Sequence, residues 1–404
     1  MAQLHFTLDY DFLVGLFSEN KDEAFAKLME ALLNQVLKAE SSEQLGAENY
    51  QRSSKRKDYR NGSRIRGLVT RVGRLELEVP RHRNVPFKTV LFENYQRNEQ
   101  ALISTMMEMV IQGVSTRNIQ KVTEELCGEK FSKSTVSEIC RELDVPVKAF
   151  KERLLPEKYP FIMADAMYIK VREDHRVRSK ALLIAIGINP EGHKEVIGFD
   201  ICDAEKTYTW KSFFESLKSR GLRGVDIVIS DCHKGLVEAI KDCFPGSSWQ
   251  RCQAHFSRNI LDKCPKKYMA GLASELTAMF NSSTITEARR LRDMIIEEYQ
   301  DVALEAVQTL DEGFEDSMTI MELPLKYRQS LRTSNILERE NREIRKREKV
   351  IQIFPNKESA LRLLGAVLLD DHNDWSCQHR LFDMKEYYEK LSSIKQKLRI
   401  LTAA

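Results

Sequence analysis

From Asp22 to Glu40 the apolar residues Phe25, Leu28, Met29, Leu32, Leu33, Val36 and Leu37 recur at three-and-four spacing, which predicts an amphipathic helix with one face needing a partner. The period then changes. Val69, Arg71, Gly73 and after them Leu75, Leu77 and Val79 alternate with polar neighbours, so a two-stranded ribbon is expected, with Asn61-Gly62 as a turn signal ahead of it. Glu99 to Val145 returns to short helices, the last two predicted from Thr116 to Leu126 and from Ser134 to Leu143. Between these lie the glycine-bearing turn Cys127-Gly128-Glu129-Lys130 and the capping residues Ser132-Lys133-Ser134-Thr135, the layout of a helix-turn-helix unit.

Beyond Pro160 the pattern becomes strand-like. Phe161 to Val171, Lys180 to Asn189 and Glu195 to Cys202 are β-rich runs, followed by a predicted helix from Thr209 to Arg220, an apolar strand from Val225 to Ser230, a helix from Gly235 to Phe244 and a fifth strand from Ser248 to Phe256. Three strands, then helix, strand, helix, strand is the order of a ribonuclease H-like sheet, in which an antiparallel meander passes into parallel crossovers. Cys264 to Tyr327 is helical throughout and reads as an insertion, and a polar helix begins near Ser334. The expected architecture is mixed α/β, a ribonuclease H-like core with an all-helical insertion, preceded by helical and basic β-ribbon regions. Its segments are 1–50 (helical), 51–98 (basic ribbon), 99–150 (helix-turn-helix), 151–263 (core, first part), 264–330 (insertion) and 331–404 (core completion and C-terminal helices).

Charge adds a partner to this picture. The net charge of +3 says little, but between Gln51 and Arg83 eleven Lys or Arg stand against three acids. Lys55, Arg56, Lys57, Arg60, Arg64 and Arg66 surround Tyr59 there. A solvated face would also carry such a run, yet the excess can neutralise several phosphates with counterion release, which points to nucleic acid. Lys133 and Ser134 open the second helix of the helix-turn-helix and are expected to touch DNA as well. The longest apolar stretch, Ala181 to Ile188, falls far short of the roughly 18 residues of a membrane span. With no basic-then-apolar leader over Met1 to Phe6, a cytoplasmic protein with no membrane partner is expected. Eight cysteines without a Cys-x-x-Cys pair suggest reduced thiols.

Candidate chemistry lies in the strands. Asp165 sits inside the apolar run Phe161 to Ile169, and Asp231 ends the apolar strand from Val225. Singly each has an ordinary explanation, an ion pair with a lysine such as Lys170 for Asp165 and a cap on the helix starting near Lys234 for Asp231. On adjacent strands they would share one place, where two carboxylates repel unless a hard divalent cation sits with them. Two ions about 4 Å apart suit in-line displacement at a phosphodiester, and a third acid is then required. Periodicity leaves that acid open. Glu340 lies nearer the stripe of Leu337, Asn341 and Ile344 than Glu338 does, Glu343 lies farthest, and Asn335 with Glu338 also fits a capping pattern.

The run Leu331 to Arg347, containing Ser334-Asn335-Ile336-Leu337-Glu338-Arg339-Glu340-Asn341, with Ile353-Phe354-Pro355 after it, resembles the Mutator-type transposases of bacterial insertion sequences. So do Tyr59-Arg60-Asn61-Gly62, Val72 to Arg81, the strand bearing Asp165, and Ser230-Asp231-Cys232-His233-Lys234-Gly235, so the resemblance covers nearly the whole chain. It implies a catalytic, metal-binding set of Asp165, Asp231 and Glu338, selected by the Asn-x-x-Glu-Arg-x-Asn pattern of Asn335, Glu338, Arg339 and Asn341. Two Mg²⁺ ions are implied, with Mn²⁺ able to substitute. Cys252-Gln253-Ala254-His255 matches the family's Cys-x-x-His signature, of unassigned role; zinc, with Cys243, Cys264 or His233 as further ligands, fits no common module spacing. Arg339, Arg342 and Arg345 share the glutamate's helix and are expected to hold phosphates.

The implied reaction is cleavage at the ends of an element followed by attack of the freed 3′-hydroxyl on a second phosphodiester, through a circular intermediate in relatives. Double-stranded DNA, both element ends and target, is the expected partner, and a homodimer or larger assembly on the bacterial nucleoid would bring two ends together. The alternatives are a catalytically inactive DNA-binding regulator and a structure-specific nuclease of the same fold, which a strand-transfer assay separates.

Overall fold

The computed structural model describes residues 6–18, 21–92, 98–156 and 158–393. The leader reading over residues 1–5 and the end of the expected core-completing segment, 394–404, lie outside the described residues. The chain divides into two compact units, Met1–Glu142 and Leu143–Ala404.

In the first unit, helices Tyr10–Ser18 and Lys21–Leu45 precede an antiparallel ribbon of β1 (Arg60–Thr70) and β2 (Gly73–His82). Alternation puts Leu75, Leu77 and Val79 on one face, where they bury with Leu68, Phe92 and Leu37 of the long helix, so the helix stripe and the ribbon solve each other's exposure. The chain reverses between Thr70 and Gly73 rather than at Asn61-Gly62. Gly62 has φ +74° inside β1, where the register shifts between Arg60 and Ser63; a bulge absorbs the signal read as a turn. Helices Gln100–Ile111, Thr116–Cys127 and Lys133–Ile139 close around Met106, Ile119 and Val136. Ser115 and Ser132 cap the last two, and a 3₁₀ turn, Cys140–Leu143, replaces the expected end of the final helix.

Ahead of β1, the buried Asp58 accepts the backbone N–H groups of Val85, Asn84 and Tyr59 at 2.8, 2.9 and 2.8 Å and the Asn84 side chain at 2.8 Å. The Val85 bond foremost, with the others and against burial, holds the carboxyl down at about 2, below its ordinary 3.8. A depressed folded pKa contributes stability above the ordinary value and loses it as pH falls through the folded one. Asp58→Asn should therefore lower the thermal midpoint at neutral pH, and the gap to wild type should shrink between pH 4 and pH 2. A gap that is constant across that window contradicts the role.

The second unit is built on five strands: β3 (Phe161–Glu173), β4 (Arg176–Ile188), β5 (Lys194–Cys202), β6 (Ile227–Ser230) and β7 (Ser248–Arg251), in the order β5-β4-β3-β6-β7. β3, β4 and β5 are antiparallel, while β6 and β7 join β3 in parallel, as expected of strand pairs joined by helical crossovers. The crossover helices Thr207–Ser219 and Lys234–Cys243 cover one face, burying Trp210, Phe213, Phe214, Leu236 and Ile240 against Ile162, Ala164, Leu183 and Ala185. The last expected strand, Ser248 to Phe256, stops at Arg251, and Gln253–Leu261 is a helix. A run that short and that mixed in polarity does not choose its own period. Phe256 and Ile260 instead join the separate core of helices Met269–Phe280, Ile285–Tyr299 and Leu304–Ser317. Helix Asn335–Ile351 then lies against β3, and Lys357–Cys377 packs on β5, with Gly365 leaving no room for a Cβ beside Val147 and Phe199. Among the described residues no helix is long and apolar enough to cross a membrane.

Candidate active site

Parallel pairing aligns Phe161 with Ile227 and Met163 with Ile229, so Asp165 and Asp231, each two residues farther on, come level at the end of β6. Even-numbered side chains of β3, Ile162 and Ala164, face the crossover helices, which leaves Asp165 to the other face, under helix Asn335–Ile351. There Asn341 Nδ2 donates to Asp165 Oδ2 at 2.8 Å and the Ala166 N–H to Oδ1 at 2.9 Å. Burial first, and the charge of Asp231 second, push Asp165 up to about 6 against those bonds. The expected alternatives are not what these acids do. Asp165 takes Asn341 rather than Lys170, and Asp231 accepts the His233 N–H at 3.1 Å, just ahead of helix Lys234–Cys243, whose N-cap residue is His233.

The glutamates of helix Asn335–Ile351 separate by direction. Two residues on a helix are about 200° apart, and Glu338 and Glu340 occupy opposite sides accordingly. Glu340 is 3% exposed, as its place near the apolar stripe predicts, yet it faces away from the aspartates. Its neighbours are Asp371 and Lys194, and burial followed by the Asp371 charge pushes its carboxyl up. Glu338 stands toward His255, with Oε1 3.8 Å from His255 Nε2. That oxygen is buried and has no hydrogen-bond partner among the described residues. Nor does Glu338 cap its helix: Ser334 is the N-cap residue, without a side-chain capping bond. The helix is held at its far end too, because Phe354 bridges to β3, with N–H to Lys170 O at 2.9 Å and its carbonyl accepting the Arg172 N–H at 2.8 Å. This gives Ile353-Phe354-Pro355 a local purpose.

Cys252 and His255 open helix Gln253–Leu261. The ligand-capable atoms of Cys252, His255 and Glu338 lie within 4.8 Å of one another, the one such group of three among the described residues. Cys243 and Cys264 are buried in the two separate cores, and His233 pairs with Glu205, so none completes a zinc site. The nearby Cys252 sulfur foremost, then the charges of Asp165 and Glu338, raise His255 to about 9 against its burial. Asp165, Asp231 and Glu338 do not crowd into a single sphere of that size. His255 lies between two of them, within electrostatic reach of both Asp165 and Glu338.

An acid set with hard oxygen donors, a buried unpartnered Glu338 oxygen and an Asp165 carboxyl destabilised by its neighbour is what a hard divalent cation would satisfy. Sequence reasoning missed Glu205, in the loop after β5. It accepts Trp210 Nε1 at 3.1 Å, lies 3.3 Å from His233 Nδ1 and is raised by burial, with Asp231 adding to the rise. Nothing in its spacing marks it; only the tertiary fold brings it beside Asp231.

The basic residues are placed unevenly. Lys55, Lys57 and Arg64 are exposed. Arg56 lies over the Tyr59 ring at 5.4 Å and Arg66 over Phe92 at 4.2 Å. Arg60 is spent on the fold, donating to Ser42 Oγ at 2.8 Å and Ala47 O at 3.0 Å. Lys133 and Ser134 are exposed at the start of their helix, and Arg64, Arg66, Arg74 and Lys130 line one groove of the first unit. Arg339, Arg342 and Arg345 are exposed along the Glu338 helix, Arg345 paired with Glu348 at 2.8 Å.

Known proteins give these residues a context. Residues 6–378 match the model of the family described as "Transposase, Mutator family". The chain is 44% identical over 386 residues to the transposase for insertion sequence element IS256 in transposon Tn4001 from Staphylococcus aureus, covering 95% of this chain and 99% of that one. It is 41% identical to the transposase for insertion sequence element ISRM5 from Rhizobium meliloti, over 91% of this chain and 92% of the relative. Among solved structures, the HTLV-2 integrase catalytic core domain in complex with magnesium is similar at 14% identity and a TM-score of 0.17, over 32% of this chain and 88% of that one, a score too low to define a fold. Family match and full-length identity agree, and the chain belongs to the Mutator family of transposases.

Proposed function

We propose that this chain is a DNA transposase that cleaves the ends of an insertion sequence and joins them to a second DNA site, using Asp165, Asp231 and Glu338 on a ribonuclease H-like core. The observation that carries the reading is the register of β3 with β6, which levels the two aspartates, under a helix whose Glu338 presents a buried, unpartnered oxygen beside His255. Full-length identity to insertion-sequence transposases supports the substrate, double-stranded DNA.

Asp165, Asp231 and Glu338 would hold two Mg²⁺ ions, or Mn²⁺ in their place. Bound there, such ions supply an activated hydroxyl and stabilise the leaving oxygen of an in-line displacement. Asn341 fixes the orientation of the Asp165 carboxylate through Oδ2, leaving less reorganisation for the reaction. Arg339 and Arg342, exposed on the Glu338 helix, hold the phosphates flanking the scissile bond. Hydrolysis and strand transfer are the same displacement with different nucleophiles, water and a 3′-hydroxyl, so one set of residues serves both. The first unit, through its exposed lysines and arginines and the helix-turn-helix, binds the element ends, and a dimer or larger assembly pairs them.

The decisive experiment incubates the purified chain with a labelled element end and a target duplex in Mg²⁺. Cleaved and joined products support the proposal. Cleavage without joining would make the chain a nuclease, and binding with neither would make it a regulator.

A further inference from the structure

The two ends of the helical insertion meet at one buried cysteine. Cys252 is 0% exposed, and its N–H donates to the carbonyl of Ser230, the residue before Asp231, at 2.8 Å. Its sulfur accepts both the N–H and the Oγ–H of Ser334, each at 3.3 Å. Ser334, 1% exposed, passes the connection on, its carbonyl accepting the Glu338 N–H at 2.8 Å. A parallel stitch runs beside it, from Gln253 N–H to Arg332 O at 2.9 Å. A short path of hydrogen bonds therefore links the strand end that carries Asp231 to the first turn of the helix that carries Glu338, although the insertion separates them in sequence.

We infer that Cys252 is a positioning residue, whose sulfur clasps Ser334 and so sets the separation between Asp231 and Glu338 across the insertion. The inference rests on the proposed role of those two acids. Sulfur suits the task by size. A hydroxyl in its place would draw its donors in to roughly 2.8–3.0 Å on a shorter side-chain bond, displacing Ser334 by more than the roughly half-ångström tolerance within which such a set must be held. Alanine would leave the N–H and Oγ–H of the buried Ser334 unsatisfied and would also take the sulfur away from His255. His255, three residues on, adds a second contact at Glu338 itself.

Loosening the support of a metal-holding residue characteristically weakens metal affinity by about 10- to 100-fold. The test is the Mn²⁺ concentration for half-maximal end cleavage, measured on the full chain well below its thermal midpoint. Cys252→Ala should raise that concentration at least tenfold, Cys252→Ser should fall between it and wild type, and saturating Mn²⁺ should restore much of the rate. Ser334→Ala, which keeps the backbone donor, should give a smaller shift. Combining it with Cys252→Ala should add nothing further, because both changes break the same clasp. Unchanged Mn²⁺ midpoints in variants whose thermal midpoints fall would reduce Cys252 to core packing and overturn the inference. Stoichiometric zinc in the wild type that is lost in Cys252→Ala would overturn it too, by making the sulfur a ligand. A Glu338→Ala variant run alongside keeps the readings apart: if it cleaves like wild type, the active-site proposal has failed rather than the clasp.

Discussion

Alanine at Asp165, Asp231 or Glu338 is expected to lower end cleavage and strand transfer together by a factor on the order of 10³ or more, while affinity for the element end stays within a few-fold of wild type. A thousandfold corresponds to about 4 kcal/mol of transition-state stabilisation, a reasonable share for one oxygen donor of a metal-assisted displacement. Binding survives because the substitutions leave the exposed cationic residues in place, Lys55, Lys57 and Arg64 in the first unit and Arg339 and Arg342 along the helix. Glu340→Gln is the internal control. It keeps the shape of a side chain that faces Asp371 and Lys194, so it should retain most of the activity. A dead Glu340→Gln beside an active Glu338→Ala would reverse the assignment. Equal activity in all three alanine variants would remove the site.

How the two glutamates divide explains what the sequence could and could not reveal. Helical spacing correctly placed Glu340 toward the buried stripe of Leu337 and Ile344. It could not say that burial there means contact with Asp371 of helix Lys357–Cys377, on the side away from the aspartates. Amphipathicity reports how much of a helix is covered, whereas the site depends on which neighbour covers each part. The family pattern singled out Glu338, which spacing alone did not.

The sheet was far more legible. Phe161 to Ile169 and Val225 to Ser230 are apolar on both sides, as central strands covered on two faces must be, and the acid within or after each therefore stood out. The register that levels Asp165 with Asp231 follows from parallel pairing. Less local features were hidden. Asn61-Gly62 gave a genuine glycine signal, but whether a positive φ turns the chain or bulges a strand depends on what β2 offers opposite it. The partners of Cys252 lie 82 residues away, and Glu205 reaches Asp231 only because two crossover helices converge. Side chains recruited from loops and across an insertion leave no periodic trace.

Removing three exposed charges from the first unit should change DNA binding in a way that its salt dependence can count. Each phosphate contact contributes a slope of about 0.9 in log affinity against log salt on duplex DNA. If Lys55, Lys57 and Arg64 each meet one, the triple glutamine variant should lose about 2.7 of slope, and near 0.15 M salt that amounts to roughly a hundredfold in affinity. Arg60 is left out because its guanidinium holds Ser42 and Ala47; replacing it would disturb the fold around the end of helix Lys21–Leu45 and confound charge with stability. Arg56 and Arg66 are omitted on similar grounds, each lying over an aromatic ring. The measurement is a titration of a labelled element end at several salt concentrations, with far-UV circular dichroism confirming that the variant is folded. If the slope is unchanged, these residues do not touch phosphate, and recognition of the end must fall to the groove lined by Arg74 and Lys130 or to the arginines of the Glu338 helix.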